Sequence, residues 1–197
     1  MSTQNSELMK IAKDSLTGKW GLAVGTFLIY TLITVALEML GQDYPSVSLV
    51  SLILAGPFTL GIAIFSLNLS RDTKAETNQI FEGFKNFGNA IGAYLLMVLF
   101  IFLWTLLLII PGIIAAISYS MTFFIIAENP DIKPMEAIDK SKAMMDGYKL
   151  KYFYLGLRLF GLGLLCILTL GIGFLWLIPY ANVCVAKFYD DVKNNQN

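Results

Sequence analysis

Between Lys85 and Glu128 the chain carries no charged residue for 42 consecutive positions. A membrane-spanning helix needs about 20 apolar residues, at a rise of ~1.5 Å per residue across ~30 Å of hydrocarbon. Written as one helix, 90–127 would be almost twice as long as the bilayer core is thick, and tilt absorbs only a small mismatch. The chain must therefore turn within this stretch. Pro111-Gly112 offers the chemistry for it: proline lacks an amide donor and clashes with the preceding turn, and glycine tolerates left-handed dihedrals. The expected result is a helical hairpin, 90–110 then 113–128, with one kinked helix as the alternative that length disfavours.

The remainder of the chain is of the same kind. Of its 197 residues 56% are hydrophobic and 14% charged, against about 25% charged in an average soluble domain. Such a chain cannot cover a soluble surface, so its solvent is mostly lipid. The formal net charge of zero argues against a nucleic-acid partner. The first 19 residues carry Glu7 and Asp14 beside Lys10, Lys13 and Lys19, and the apolar run 20–40 is too long for a signal sequence. It reads as a first span behind a retained N-terminus.

Six spans are expected: 20–40, 47–69, 90–110, 113–128, 152–170 and 173–188. Turns fall at 41–46, at Pro111-Gly112 and at Gly171, and Gly56-Pro57 reads as a kink inside the second span. A short polar stretch with helical periodicity precedes each odd-numbered span. In 5–18, Leu8, Ile11, Ala12 and Leu16 share a face, with Ser6 as a candidate N-cap and Gly18 as a stop. In 77–88 the face is Ile80, Phe81, Phe84 and Phe87, and in 134–147 it is Met135, Ile138 and Met145, between Pro134 and Gly147. Caps, dipole-matched charges and terminal glycines agree. The chain thus reads as a single all-α polytopic membrane domain with a loose three-fold repeat of amphipathic helix, span, span: units 5–70, 77–128 and 134–190. Each amphipathic helix is expected to lie flat in the interface, apolar face down.

Thirteen of the fourteen Lys and Arg residues lie in the N-terminus, in the connections 71–85 and 133–151, or at the C-terminal end. The opposite turns carry none. By the positive-inside rule both termini face the cytoplasm.

The segments "GKWGLAVG", "IFEGFKNF", "LWTLLLIIPGIIAAISYSMTFFIIAENPDI", "AIDKSKAMMDGYK" and "LTLGIGFLWLIPY" resemble the bacterial membrane family catalogued as domain of unknown function 975. The resemblance covers nearly the whole chain. It implies a multi-pass protein of the bacterial cytoplasmic (inner) membrane and carries no catalytic residues across. Where many members have a basic residue after "PGII", this chain has Ala115.

Ionisable groups at membrane depth are costly and often functional. Arg158 lies about six residues into its span, where it can snorkel, pair with Glu128 or Asp190 at the same level, or hold an anion or lipid headgroup. These three residues form the leading candidate site. Glu38, near the outer end of the first span, and Asn68 and Asn182 are weaker candidates. Ser118, Ser120 and Thr122 fit interhelical hydrogen bonding, and Gly61, Ala63, Gly156, Gly161 and Gly163 fit close helix packing. Cys166 and Cys184 differ in depth, so a disulfide is not expected, and the chain has no histidine to activate either thiol. No catalytic constellation, metal cluster or cofactor motif is visible. The expected function is a non-enzymatic membrane protein that organises or assists envelope components. Its expected partners are membrane lipids and either another membrane protein or further copies of itself. A small transporter or export subunit for a solute or lipid is the alternative.

Overall fold

The computed structural model describes residues 3–196, with the side chains at 43, 45, 46 and 48 outside the described set. Among the described residues the chain is all-helical: α1 (Asn5–Ser15), α2 (Trp20–Asp43), α3 (Pro45–Ser70), a 3-10 helix (Thr77–Asn86), α4 (Phe87–Leu107), α5 (Ile109–Tyr119), α6 (Thr122–Glu128), α7 (Pro134–Met144), α8 (Lys149–Leu168) and α9 (Phe174–Asn194). Five segments are long and apolar enough to cross a membrane: Trp20–Gln42, Leu49–Ser70, Thr77–Leu107, Ile109–Glu128 and Lys149–Leu168. α9 is as long as α4 but carries Lys187, Asp190, Asp191 and Lys193 in its second half.

The hairpin across the uncharged stretch forms, with its tip three residues earlier than Pro111-Gly112. Leu108 is extended (φ −160°, ψ 148°), and α5 begins at Ile109. Pro111 thus falls in the first turn of α5, where a helix has unbonded N–H groups in any case and proline costs least. Gly112 serves a different purpose from a turn: a Cβ there would overlap Thr105 of the opposing helix. The expected span 113–128 is also interrupted. α5 ends at Tyr119 and α6 starts at Thr122. Ser141 of α7 bridges the break, accepting from the Met121 N–H at 3.1 Å and donating to the Ser118 carbonyl at 2.8 Å.

α3 is the central element, touching α1, α2, the 3-10 helix, α4, α6 and α9. It runs unbroken through Pro57. The 3-10 helix lies against it backbone to backbone: a Cβ on Gly61 would overlap the Ile80 carbonyl, and one on Gly83 the Pro57 carbonyl. A Cβ on Gly56 would fall 2.6 Å from the Ala90 carbonyl. Helices in lipid gain little from burying apolar surface, so such close approaches carry the association. The 3-10 geometry replaces the α-helix expected for 77–88, and its buried face is Gln79, Ile80 and Gly83, leaving Phe81 and Phe87 exposed. Gly88 is no stop, because α4 runs through it.

The amphipathic helices use their apolar faces differently from the expectation of lying on lipid. Leu8, Ala12 and Leu16, one face of α1, are buried against the bundle, where α1 touches α9, α3 and α8. In α7, Ala137, Ile138 and Ser141 are buried, and Met135 is exposed. The expected cap Ser6 lies inside α1, behind an N-cap Gln4 that makes no side-chain capping bond. The glycine stops hold at two of three joints. Gly18 (φ 78°) and Gly147 (φ 77°) are both left-handed. After them Lys19 N–H donates to the Leu16 carbonyl and Tyr148 N–H to the Met145 carbonyl.

Burial is concentrated at one end. Phe27, Phe65, Leu69, Ile80, Phe124, Ile126, Phe188 and Tyr189 are buried there, in two adjoining clusters. Towards the three hairpin tips, at Tyr44, Leu108 and 169–173, large side chains such as Met39, Leu49, Phe102, Ile110 and Leu168 are exposed.

Candidate functional site

Three helices end together at the packed end: α3 at Ser70, α6 at Glu128, and the last turns of α9. Arg71, the C-cap of α3, ties them. Its Nε donates to both oxygens of Asp190 at 3.2 Å, and Nη2 donates to Asp190 Oδ1 at 2.5 Å and to Glu128 Oε1 at 2.6 Å. The second oxygen of Glu128 accepts from the Tyr189 hydroxyl and from Lys193 Nζ, each at 2.5 Å. The Tyr189 ring stacks on Phe124 of α6, with centroids 5.5 Å apart. Two carboxylates thus face two cations and a phenol, and the Glu128 side chain is only 16% exposed. A carboxylate held there needs this pairing, because an uncompensated buried charge is costly.

Pairing and burial shift the proton affinity of two members of the network. The Asp190 carboxylate raises the proton affinity of Arg71 more than partial burial lowers it. Burial, then the bond to Glu128, pushes the Tyr189 hydroxyl above its usual range, so it remains a donor. Next to the network lies a cavity of about 930 Å³ between α3, α6, α7 and α9. Ile64, Leu67, Ile125 and Met144 give it an apolar wall, and Asn68, Arg71, Glu128, Lys140 and Lys193 a polar one.

A second knot secures the N-terminus. Asp191 accepts from the Thr3 N–H at 2.9 Å, from the Thr3 hydroxyl and from Lys151 Nζ at 2.5 Å. Asn5 adds a bond to the Lys151 carbonyl at 2.8 Å. Burial works against ionisation of Asp191, but Lys151 and the Thr3 donors outweigh it and hold the carboxyl below its usual range.

Of the sequence-derived candidates, Glu128 and Asp190 are brought together, with Arg71 between them where Arg158 was expected. Arg158 lies exposed on α8 and makes no ion pair among the described residues. α8 buries only Leu155 among the described residues, and Arg158, one turn further along, stays exposed while Arg71 takes both carboxylates. Glu38 is likewise exposed and unpaired among the described residues. Asn68 lines the cavity and accepts from the Thr73 hydroxyl at 3.0 Å, and Asn182 donates to Ile178 in its own helix at 2.9 Å. Ser118, Ser120 and Thr122 donate to carbonyls three or four residues back, and Ser120 also meets the Tyr152 hydroxyl of α8. Sequence reasoning missed Arg71, Tyr189, Lys193, Lys151 and Asp191. One signal was available for Arg71: it stands at the end of the second span of its unit, as Glu128 and Asp190 stand near the ends of theirs.

Cys166 and Cys184 are free thiols, and no cluster of three or more potential metal ligands exists among the described residues. The arrangement can hold charge, donate hydrogen bonds and clamp helix ends. No curated protein and no solved structure matches the chain. The family model described as a protein of unknown function, DUF975, matches residues 1–118 and 105–196, so the chain belongs to the DUF975 family.

Proposed function

We propose that this protein is a non-enzymatic organising or accessory factor of the bacterial cytoplasmic membrane, with six spans and both termini inside. The observation that carries this reading is the construction of the packed end. The amphipathic helices spend their apolar faces on the bundle and present polar faces outward: Glu7, Lys10, Lys13 and Asp14 on α1, and Glu136, Asp139 and Lys140 on α7. A charged floor on the Lys/Arg-rich side suits docking to other proteins. α9 is taken as the sixth span, over 173–188, because its charges gather at the floor, level with Arg71, and leave the residues before Lys187 uncharged. The matching glycine joints at Gly18 and Gly147 support a repeat of amphipathic helix, span, span.

Extraction in native lipid followed by mass spectrometry tests the function. A stoichiometric co-purifying membrane protein supports the organising role, and its absence at native abundance counts against it. The alternative, a small transporter or export subunit, has the 930 Å³ cavity in its favour. Substrate-dependent flux in reconstituted vesicles would establish that reading instead. Reporter fusions after Leu108 and Gly171 should report the outside, and fusions after Lys74 and Ser141 the cytoplasm. An inside signal at Leu108 overturns the topology.

A further inference from the structure

We infer that the cavity between α3, α6, α7 and α9 is a binding site for a phosphate-bearing ligand, held by Arg71, Lys140, Lys193 and Asn68. These side chains have hydrogen-bonding capacity left over. Nη1 of Arg71 has no acceptor among the described residues, since Nε and Nη2 take all its bonds to Asp190 and Glu128. Lys193 uses one of three donors on Glu128, and Lys140 one on Glu136 at 3.1 Å in a largely exposed pair. The Asn68 carbonyl accepts from Thr73, leaving its amide N–H groups without an acceptor. Three cations and one carboxylate line the cavity; Asp190 and Glu136 pair with Arg71 and Lys140 from outside the lining, so it is the unused donors on the wall that suit an anion. Guanidinium and ammonium groups beside an amide match the several acceptor oxygens of a phosphate.

Size and wall chemistry narrow the ligand. A cavity of about 930 Å³ is at the upper end of small-molecule sites and far larger than free phosphate. Its wall of Ile64, Leu67, Ile125 and Met144 suits an apolar portion attached to the phosphate. The site would exist whether or not the protein organises other membrane components. The phosphate can come from a lipid headgroup or from a soluble phosphate.

The test uses the full chain in an uncharged detergent, with melting temperature as the readout, since a ligand that binds the folded state raises it. Dihexanoyl phosphatidic acid, inorganic phosphate and dihexanoylglycerol are the three probes. Phosphatidic acid should raise the midpoint by several degrees, with dihexanoylglycerol giving no shift. A comparable shift with inorganic phosphate alone keeps the anion site and assigns it to a soluble ligand. Lys140→Gln and Asn68→Asp should each cut the shift by more than half. The first removes a cation at an exposed pair, and the second keeps the acceptor for Thr73 while adding negative charge. Lys133→Gln, an exposed charge outside the cavity, should leave the shift intact. Shifts absent with both phosphate probes, equal with dihexanoylglycerol, or unchanged in both cavity variants overturn the assignment.

Discussion

The packed end and the hairpin end of this molecule are made from the same helices and obey different rules. At the packed end α3 meets the 3-10 helix through backbone contacts at Gly61 and Gly83, and Arg71 joins three helix ends. At the hairpin end Met39, Leu49, Ile110 and Leu168 face outward, and Gly161 of α8 has nothing within 4 Å of where a Cβ would stand, although Gly112 near the α4–α5 tip abuts Thr105. Lipid solvates exposed leucine as well as a neighbouring helix does, so apolar side chains alone give helices no reason to converge. Convergence occurs where glycine lets backbones touch or where charges require partners. Specificity in this fold therefore resides in a few small and charged residues, and the abundant leucines and isoleucines set only which solvent the chain inhabits.

The sharpest way to break this contrast is to add one carbon at each end. Gly83→Ala drives a methyl group into the Pro57 carbonyl and should cost about 3 kcal/mol or more. Gly161→Ala should cost nothing, and denaturant or thermal unfolding of both variants in detergent measures the difference. Next in size is Arg71→Leu. It strands Asp190 and leaves Glu128 only Tyr189 and Lys193, and with the guanidinium about one-third exposed the loss should be about 2 kcal/mol. Arg158→Leu, by contrast, should leave the melting temperature within a degree of wild type, because no partner is stranded. If Arg158 proved the more costly, the charge network would be misplaced.

Acid sharpens the comparison within the packed end. The carboxyl of Asp191 is held below its usual range in the folded state. Its contribution is therefore present above the unfolded pKa of about 3.9 and is lost as pH falls through the lower folded value. The stability advantage of wild type over Asp191→Asn should be constant above about pH 5 and shrink below pH 4. A pH series of paired melting curves reads this, and an advantage that grows on acidification would refute the pairing. The smallest effect belongs to the hairpin end: Leu168→Ala should change stability by less than about 0.5 kcal/mol.

Much of the architecture was legible because length governs it. The uncharged stretch had to fold back, and five segments long and apolar enough to cross a membrane appear among the described residues. The hairpin tip was displaced because proline next to glycine reads equally as a turn or as the first turn of the following helix. The 3-10 segment was illegible as such: Ile80, Phe81 and Phe84 fit helical spacing, whereas the position of Gly61 across α3 selects which of them is buried. Small residues were a correct signal at Gly61 and an empty one at Gly156 and Gly161, since spacing within α8 says nothing of whether a neighbour is there. The site was half legible for a similar reason. Glu128 and Asp190 stood out as carboxylates at apolar boundaries, but their partner was decided by which helix ends converge. Arg158 drew attention by its depth, and Arg71 looked like an ordinary residue at the edge of a loop.

Arg71 also imposes an order on biosynthesis. Its two acceptors lie 57 and 119 residues further along the chain. When α3 is complete neither carboxylate has been made. The arginine therefore waits for α6 to bring its first carboxylate and for α9 to bring the second, which closes the knot. A ribosome that stops short of α9 leaves a chain whose first two-thirds can insert and fold back but whose central cation is only half neutralised.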